Sequence, residues 1–495
     1  MALLKRAILL WVAGCAAARA QSLVVLNRAI EDLNQGRNLP AALGFFEVAE
    51  KGTSKEQRAT AGFHLAQTVR KLGYPFAAFS EYAQVLNAGP AHPFYGKALE
   101  AVAALTEELS DEVIGPNLLA KADKAEVAKL SPEARSRYAA AVALLDYRAG
   151  KYDEAEELIR WVRPATPGYA QARYLEGLLQ QRKDPEQAVR TFRAVLEMPG
   201  ESAGLKELAH LALGRTLYGL KRYQEAAAEY ARLPRFSRHW DEGLFEGAYA
   251  DLQSGDAGAA LGKLHGLHSP HLSDEFAPES HNLAAIIYDQ VCLYPQVREA
   301  LARFEREYVP MKDRLKTVAS ANVPVEDFVR TLDAGDPRLP VPVRKHLAKN
   351  ERVSSMLDYL GRLDREHQRL RGDQELSRTA LGKDLAEALA RQRQLVTQVA
   401  GKFVQGRLAD LQHLIEVLDG EKEIIGFETT KGEKEMIEAR YDVKAALDAQ
   451  PLFRPEMPQT GHEYWPFDGE YWPDEIGYYR YTLKDACPKK KEQER

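Results

Sequence analysis

The chain has 495 residues, 45% of them hydrophobic and 28% charged, with a formal net charge of −5 and three cysteines. That length suits two or three structural regions, and so mild an acidity carries no nucleic-acid signature, so binding of DNA or RNA is not expected. No stretch beyond the amino terminus approaches the roughly 18 to 20 continuous apolar residues that a bilayer-spanning helix needs.

At the amino terminus, Lys5 and Arg6 precede the apolar run Ala7 to Val12, the pattern of an export signal, so residues 1–20 are set aside from the fold. Two cleavage readings compete. Val12-Ala13-Gly14-Cys15 resembles a lipoprotein box, which would leave Cys15 as a lipidated terminus and give the protein its membrane contact. Ala18-Arg19-Ala20 is an ordinary signal-peptidase site, which would discard Cys15. The completeness of the box and the shortness of the apolar run favour lipidation. Either way the expected compartment is the periplasm, and Ala16 after the cysteine directs a lipidated form to the outer membrane.

Residues 22–310 read as helical hairpins. The clearest unit runs from Tyr138, Val142 and Ala143 through Gly150, Tyr152 and Ala155 to Ile159, Val162 and Pro167, with small residues where two antiparallel helices must approach closely. Aligned on the small residue of the second helix, the units carry Ala41, Ala78, Ala155, Ala188, Ala226, Ala260 and Val297. The interval from Ala78 to Ala155 is about twice the others and fits two units, with a degenerate one near Ala98 to Ala122. Gly73, Gly150 and Gly255 occupy the turn, and Lys183, Lys221 and Cys292 stand there in other units.

This pattern resembles the tetratricopeptide repeat, whose period is about 34 residues; Leu213-Gly214, Leu217, Tyr223, Ala226 and Tyr230 carry the likeness best. The resemblance implies an α-solenoid in which each unit buries its apolar stripe against neighbours, with a concave partner-binding groove lined by first-helix residues. Carried over position by position, the groove comprises Phe63, Gln67, Arg70, Tyr147, Arg148, Arg173, Gln180, Arg215, Tyr218, Phe245 and Tyr249. Arginines and tyrosines of this kind suit an extended peptide, through bidentate contacts to carboxylates and ring packing.

Prolines at Pro324, Pro337, Pro340 and Pro342 mark residues 311–342 as a connector in which no helix runs far. Residues 343–445 turn charged and helical. Val353, Met356, Leu360, Leu363, His367 and Leu370 follow a heptad, Gly372-Asp373 interrupts it, and Leu385, Leu389, Gln392, Val396, Val399 and Phe403 resume it. The phase then shifts to Val404, Leu408, Leu411, Ile415 and Leu418. A helical hairpin and an intermolecular coiled coil both accommodate this pattern.

The tail, residues 446–495, is aromatic. Trp465, Phe467, Tyr471 and Trp472 flank the turn signal Asp468-Gly469, which predicts a small β-hairpin or an ordered loop. These rings either offer a flat patch to a partner or fasten the tail to its own chain. Cys292 and Cys487 survive export and are expected to pair, the alternative being two free thiols. Lys489 onward reads as a disordered end.

The fold class expected is therefore all-α: a repeat solenoid, a charged hairpin and an aromatic tail. No catalytic motif, cofactor site, metal site or small-molecule substrate is recognisable, although His265, His268, His271 and His281 with Asp274 and Glu275 form a loop cluster that could hold a transition metal. The combination of export signal, repeats and the Trp465 to Cys487 tail also resembles the periplasmic and outer-membrane repeat proteins of the myxobacterial gliding-motility machinery. That resemblance implies a non-catalytic scaffold whose partners are other envelope proteins. An outer-membrane or cell-wall assembly factor is the alternative, and a periplasmic metal-binding protein or hydrolase is the alternative of another class.

Overall fold

A computed structural model describes residues 21–164, 166, 168–200, 202–333, 336–450 and 467–488. The lipidation candidate Cys15 and the aromatic Trp465 lie outside them, as does the chain end from 489. The described residues are helical, with no strand. The hairpin expected around Asp468-Gly469 is not formed within residues 467–488, which run as turns and irregular chain.

Helical hairpins fill the described residues from 21 to 307. Second helices begin at Asn38, Pro75, Tyr152, Pro185, Tyr223, Ala257 and Tyr294. The fourth residue of each is the small residue on which the units align: Ala41, Ala78, Ala155, Ala188, Ala226, Ala260 and Val297, all fully buried. Six of the seven are alanine and one is valine, which lets the paired helices approach closely at that point.

First helices end in a residue with a left-handed backbone, at Gly36, Gly73, Gly150 and Gly255. Lys221 (φ 61°) and Cys292 (φ 56°) accept the same conformation despite their side chains, and Ser110 (φ 52°) does so in the degenerate unit. Acidic and hydroxyl residues then start many helices: Asp184 accepts from Gln187 N, Asp256 from Ala259 N and Ser202 from Leu205 N.

The chain forms two compact units, each discontinuous in sequence: residues 1–175 with 351–400, and residues 176–350 with 401–495. They cut across the regions drawn from composition, because the charged helices are shared between them.

In the first unit, the helix Glu351–Gly372 and the start of the 59-residue helix Ala380–Glu438 form a hairpin that packs on the repeats. The heptad residues Val353, Met356, Leu363, Leu370, Leu385, Leu389 and Val396 are buried within this unit, so the apolar seam is covered intramolecularly. Tyr359 meets Phe76 edge-on at 5.0 Å and donates its hydroxyl to Gln392 Oε1 at 2.9 Å. Gln392 Nε2 in turn donates to Phe76 O at 2.8 Å, which explains a polar residue at a heptad position.

In the second unit, the proline-rich stretch 311–342 is built into the core, with Phe328, Thr331 and Leu339 buried and only short helices such as Val309–Ala319. Here the long helix buries its shifted phase, Val404, Leu408, Leu411, Ile415 and Leu418. Gly401 lies against the Val325 carbonyl, Gln405 Nε2 donates to Ala319 O at 3.1 Å, and Asn282 Nδ2 donates to Leu418 O at 3.0 Å. The phase shift in the sequence thus marks a change of packing partner along one helix.

Candidate functional site

Two groups of side chains gather what the sequence nominated: the first-helix faces of the hairpins and the tail.

Charged groove candidates are held by a neighbouring hairpin. Arg70 pairs with Glu108 at 2.5 Å, Arg148 with Glu112 at 2.8 Å, and Arg215 with Glu246 at 2.5 Å and Glu242 at 3.1 Å. The carboxylates beside Arg215 raise its pKa against the effect of its burial. Each guanidinium therefore ties successive hairpins together, and a ligand carboxylate would have to compete for it.

The aromatic groove candidates pack locally. Phe63 is buried, stacked on Phe94 at 4.6 Å. Tyr147 meets Tyr152 and Tyr218 meets Tyr223, in each case a first-helix ring against the ring that opens the second helix. Phe245 meets Tyr249 edge-on at 5.2 Å. Gln67 Oε1 lies 3.0 Å from His64 Nδ1, Gln180 donates to Glu176 at 3.0 Å and accepts from Thr191 at 2.6 Å, and Arg173 is half-buried. Phe63, Gln67, Arg70, Tyr147, Arg148 and Arg173 belong to the first unit, and Gln180, Arg215, Tyr218, Phe245 and Tyr249 to the second.

The tail docks on the helix Ala257–Leu267 of the second unit. Gly258, Gly262 and Gly266 stand four apart and line one face of that helix, where backbone of residues 476–481 lies directly on them. A Cβ at Gly262 would collide with the Tyr479 carbonyl, and one at Gly258 with the Tyr481 carbonyl. Tyr481 N donates to Gly258 O at 3.0 Å, Arg480 pairs with Asp256, and Ile476 is fully buried. Further along, Ala486 N donates to Val291 O at 2.9 Å, and Cys487 stands at disulfide distance from Cys292, with their Cα atoms 5.0 Å apart.

His265 projects from the same helix into four rings of the tail. Phe467, Tyr471, Tyr479 and Tyr481 surround it with centroids 4.6 to 5.5 Å away. Its Nδ1 hydrogen-bonds the Tyr481 hydroxyl at 3.0 Å, while Nε2 has no partner among the described residues. Burial holds its pKa down at about 4, and Arg303 adds to the effect. His268 stacks on His281 at 4.2 Å and meets Ser280 Oγ at 2.8 Å; burial holds its pKa far below the usual range. His271 donates to Tyr471 O at 3.1 Å. The imidazoles of the loop cluster are thus engaged in packing, and among the described residues no group of three or more His, Cys, Asp or Glu is arranged to hold a metal ion.

Of the tail patch, Phe467 and Tyr471 contribute to the His265 cluster, whereas Trp472 is 56% exposed. The glycine face of Ala257–Leu267 escaped the sequence reading. Its signal was the four-residue glycine spacing inside a helix, where glycine is otherwise unfavourable. No helix among the described residues is long and apolar enough to cross a membrane. No protein-family model matches the chain, and no curated protein is detectably similar to it.

Proposed function

We propose that the chain is a tetratricopeptide-like solenoid serving as a non-catalytic interaction scaffold of a cell-envelope complex, facing the periplasm, with gliding motility as its process and other envelope proteins as its partners. The observation that carries this reading is the recurrence of a buried small residue at the fourth position of seven second helices. Stacked hairpins of that kind expose long, rigid faces suited to holding other chains. The Cys292–Cys487 pair at bonding distance supports an oxidising compartment.

Crosslinking in cells that express a carboxy-terminally tagged copy tests the reading. Wild type is compared with a variant carrying Tyr147→Ala, Arg148→Ala and Arg215→Ala. Envelope motility components that co-purify with wild type and vanish from the variant would support scaffold and groove together. Recovery of barrel-assembly factors or cell-wall fragments would favour the assembly-factor reading instead, and deletion that stops growth would count against a motility role.

A further inference from the structure

The first unit contains a cavity of about 830 Å³ that the sequence did not announce. Its inner walls come from Phe46, Leu65 and Val85, and its width from small residues, among them Gly62, where an added Cβ would meet nothing within 4 Å. Part of the lining is acidic. Glu81 is 6% exposed, and among the described residues its carboxylate receives one hydrogen bond, a 3.3 Å contact from the Gln84 amide to Oε1. The second oxygen receives none, and no lysine or arginine stands within ion-pair distance of it among the described residues. Asp384 and Glu50 also line the cavity, and both raise the Glu81 pKa through their charge.

A buried carboxyl without a counter-ion, beside a volume lined by apolar and polar side chains alike, is costly to leave ionised. Glu81 responds by staying protonated: burial first, then Asp384 and Glu50, push its pKa up to about 8, against a weaker opposing pull from Arg391. The lining cations Lys55, Arg58 and His92 form no ion pair with it among the described residues. Arg58 donates to Gly52 O at 2.6 Å, Lys55 is exposed, and burial lowers the pKa of His92. A concave volume that combines apolar side chains with a few polar groups is the usual form of a small-ligand site.

We propose that this cavity binds a linear organic cation, an alkylammonium group seated on Glu81 and Asp384 with its carbon chain along Phe46, Leu65 and Val85. The inference is independent of the scaffold reading. The same chemistry is offered by a free polyamine and by a lysine side chain of a partner protein.

Calorimetric titration of the full chain at about pH 7.5 with cadaverine, spermidine and a capped lysine peptide tests it. Saturable binding of at least one probe is expected, with heat that depends on the buffer because Glu81 gives up its proton to form the ion pair. Glu81→Gln and Asp384→Asn should each weaken binding about 10-fold or more, and Gly62→Leu should abolish it by filling the cavity. Melting curves identify any variant that does not fold; Glu81→Gln, a single-atom change, then carries the decision. Tighter binding of the free amines points to a polyamine, and tighter binding of the peptide to a partner's lysine. Absence of saturable heat from all three probes, or equal binding by wild type and Glu81→Gln, overturns the proposal.

Discussion

Glu366 caps a helix to which it is not connected: its carboxylate accepts from Ala77 N at 2.9 Å and from Phe76 N at 3.2 Å, satisfying amides at the start of Pro75–Asn87. Nearby, Arg369 donates to Gly73 O and Tyr74 donates to Asp373 Oδ2 at 3.1 Å, so the helix Glu351–Gly372 grips one whole turn of a repeat. Burial outweighs the two amides and raises the Glu366 pKa to about 7. Replacement by alanine should cost about 1 to 3 kcal/mol by orphaning those amides. Glu366→Gln, which keeps an acceptor oxygen, should cost less. Chemical denaturation of the three proteins at one pH separates these outcomes.

The same relationship shows where sequence reasoning stops. The apolar spacing of Val353, Met356, Leu363 and Leu370 was legible as a buried stripe, but a stripe does not name its partner, and a heptad fits a repeat surface as well as another coil. Glu366 looked like one more solvated charge among many. The repeats were legible because a close helix crossing admits only small side chains, leaving a mark at Ala41, Ala78 and the five positions that match them. Lys221 and Cys292 could be placed at turns by that register even though neither is a residue that favours a left-handed backbone. Glu81 and Asp384 come together only through tertiary packing, so no local pattern could have joined them.

Closing the Cys292–Cys487 pair restricts a loop of 195 residues in the unfolded chain. The chain-entropy model assigns this about 5 kcal/mol. Reduction, or Cys487→Ser, should therefore lower the melting temperature of the second unit and increase amide exchange at Tyr481 and Ala486, whose N–H groups bond Gly258 O and Val291 O. Exchange at those amides that is unchanged on reduction would mean that the glycine face and the aromatic cluster hold the tail without the crosslink.

Gly262→Ala adds one methyl group where the Tyr479 carbonyl already sits. A tail forced to shift should lose about 1 to 3 kcal/mol of docking, seen as faster exchange from Tyr479 to Tyr481. Gly219→Ala is the matched control: it lies at the end of the helix Ala203–Gly219, with nothing within 4 Å of the added Cβ. That variant should leave the tail undisturbed.

The two units should respond to pH in opposite directions. In the first, Glu81 and Glu366 have native pKa values of about 8 and about 7, above the ordinary 4.5, so the native state holds protons that the unfolded chain has released. Their contribution is complete below pH 4.5 and is lost as the pH rises through 7 to 8. In the second, His265 and His268 titrate below the ordinary 6.5, His265 at about 4, so there the unfolded chain binds the extra protons. Their contribution is complete above pH 6.5 and is lost as the pH falls towards 4. Amide exchange corrected for its intrinsic pH dependence should show residues 55–108 better protected at pH 5 than at pH 8, and residues 257–288 the reverse. Glu366→Gln should weaken the first trend, leaving the Glu81 part of it, and should leave the second intact. His268→Phe, which keeps a ring against His281 at the expense of the Ser280 hydrogen bond, should weaken the second, leaving the His265 part of it, and should leave the first intact. Parallel trends in both units would show that groups other than these four control the pH response.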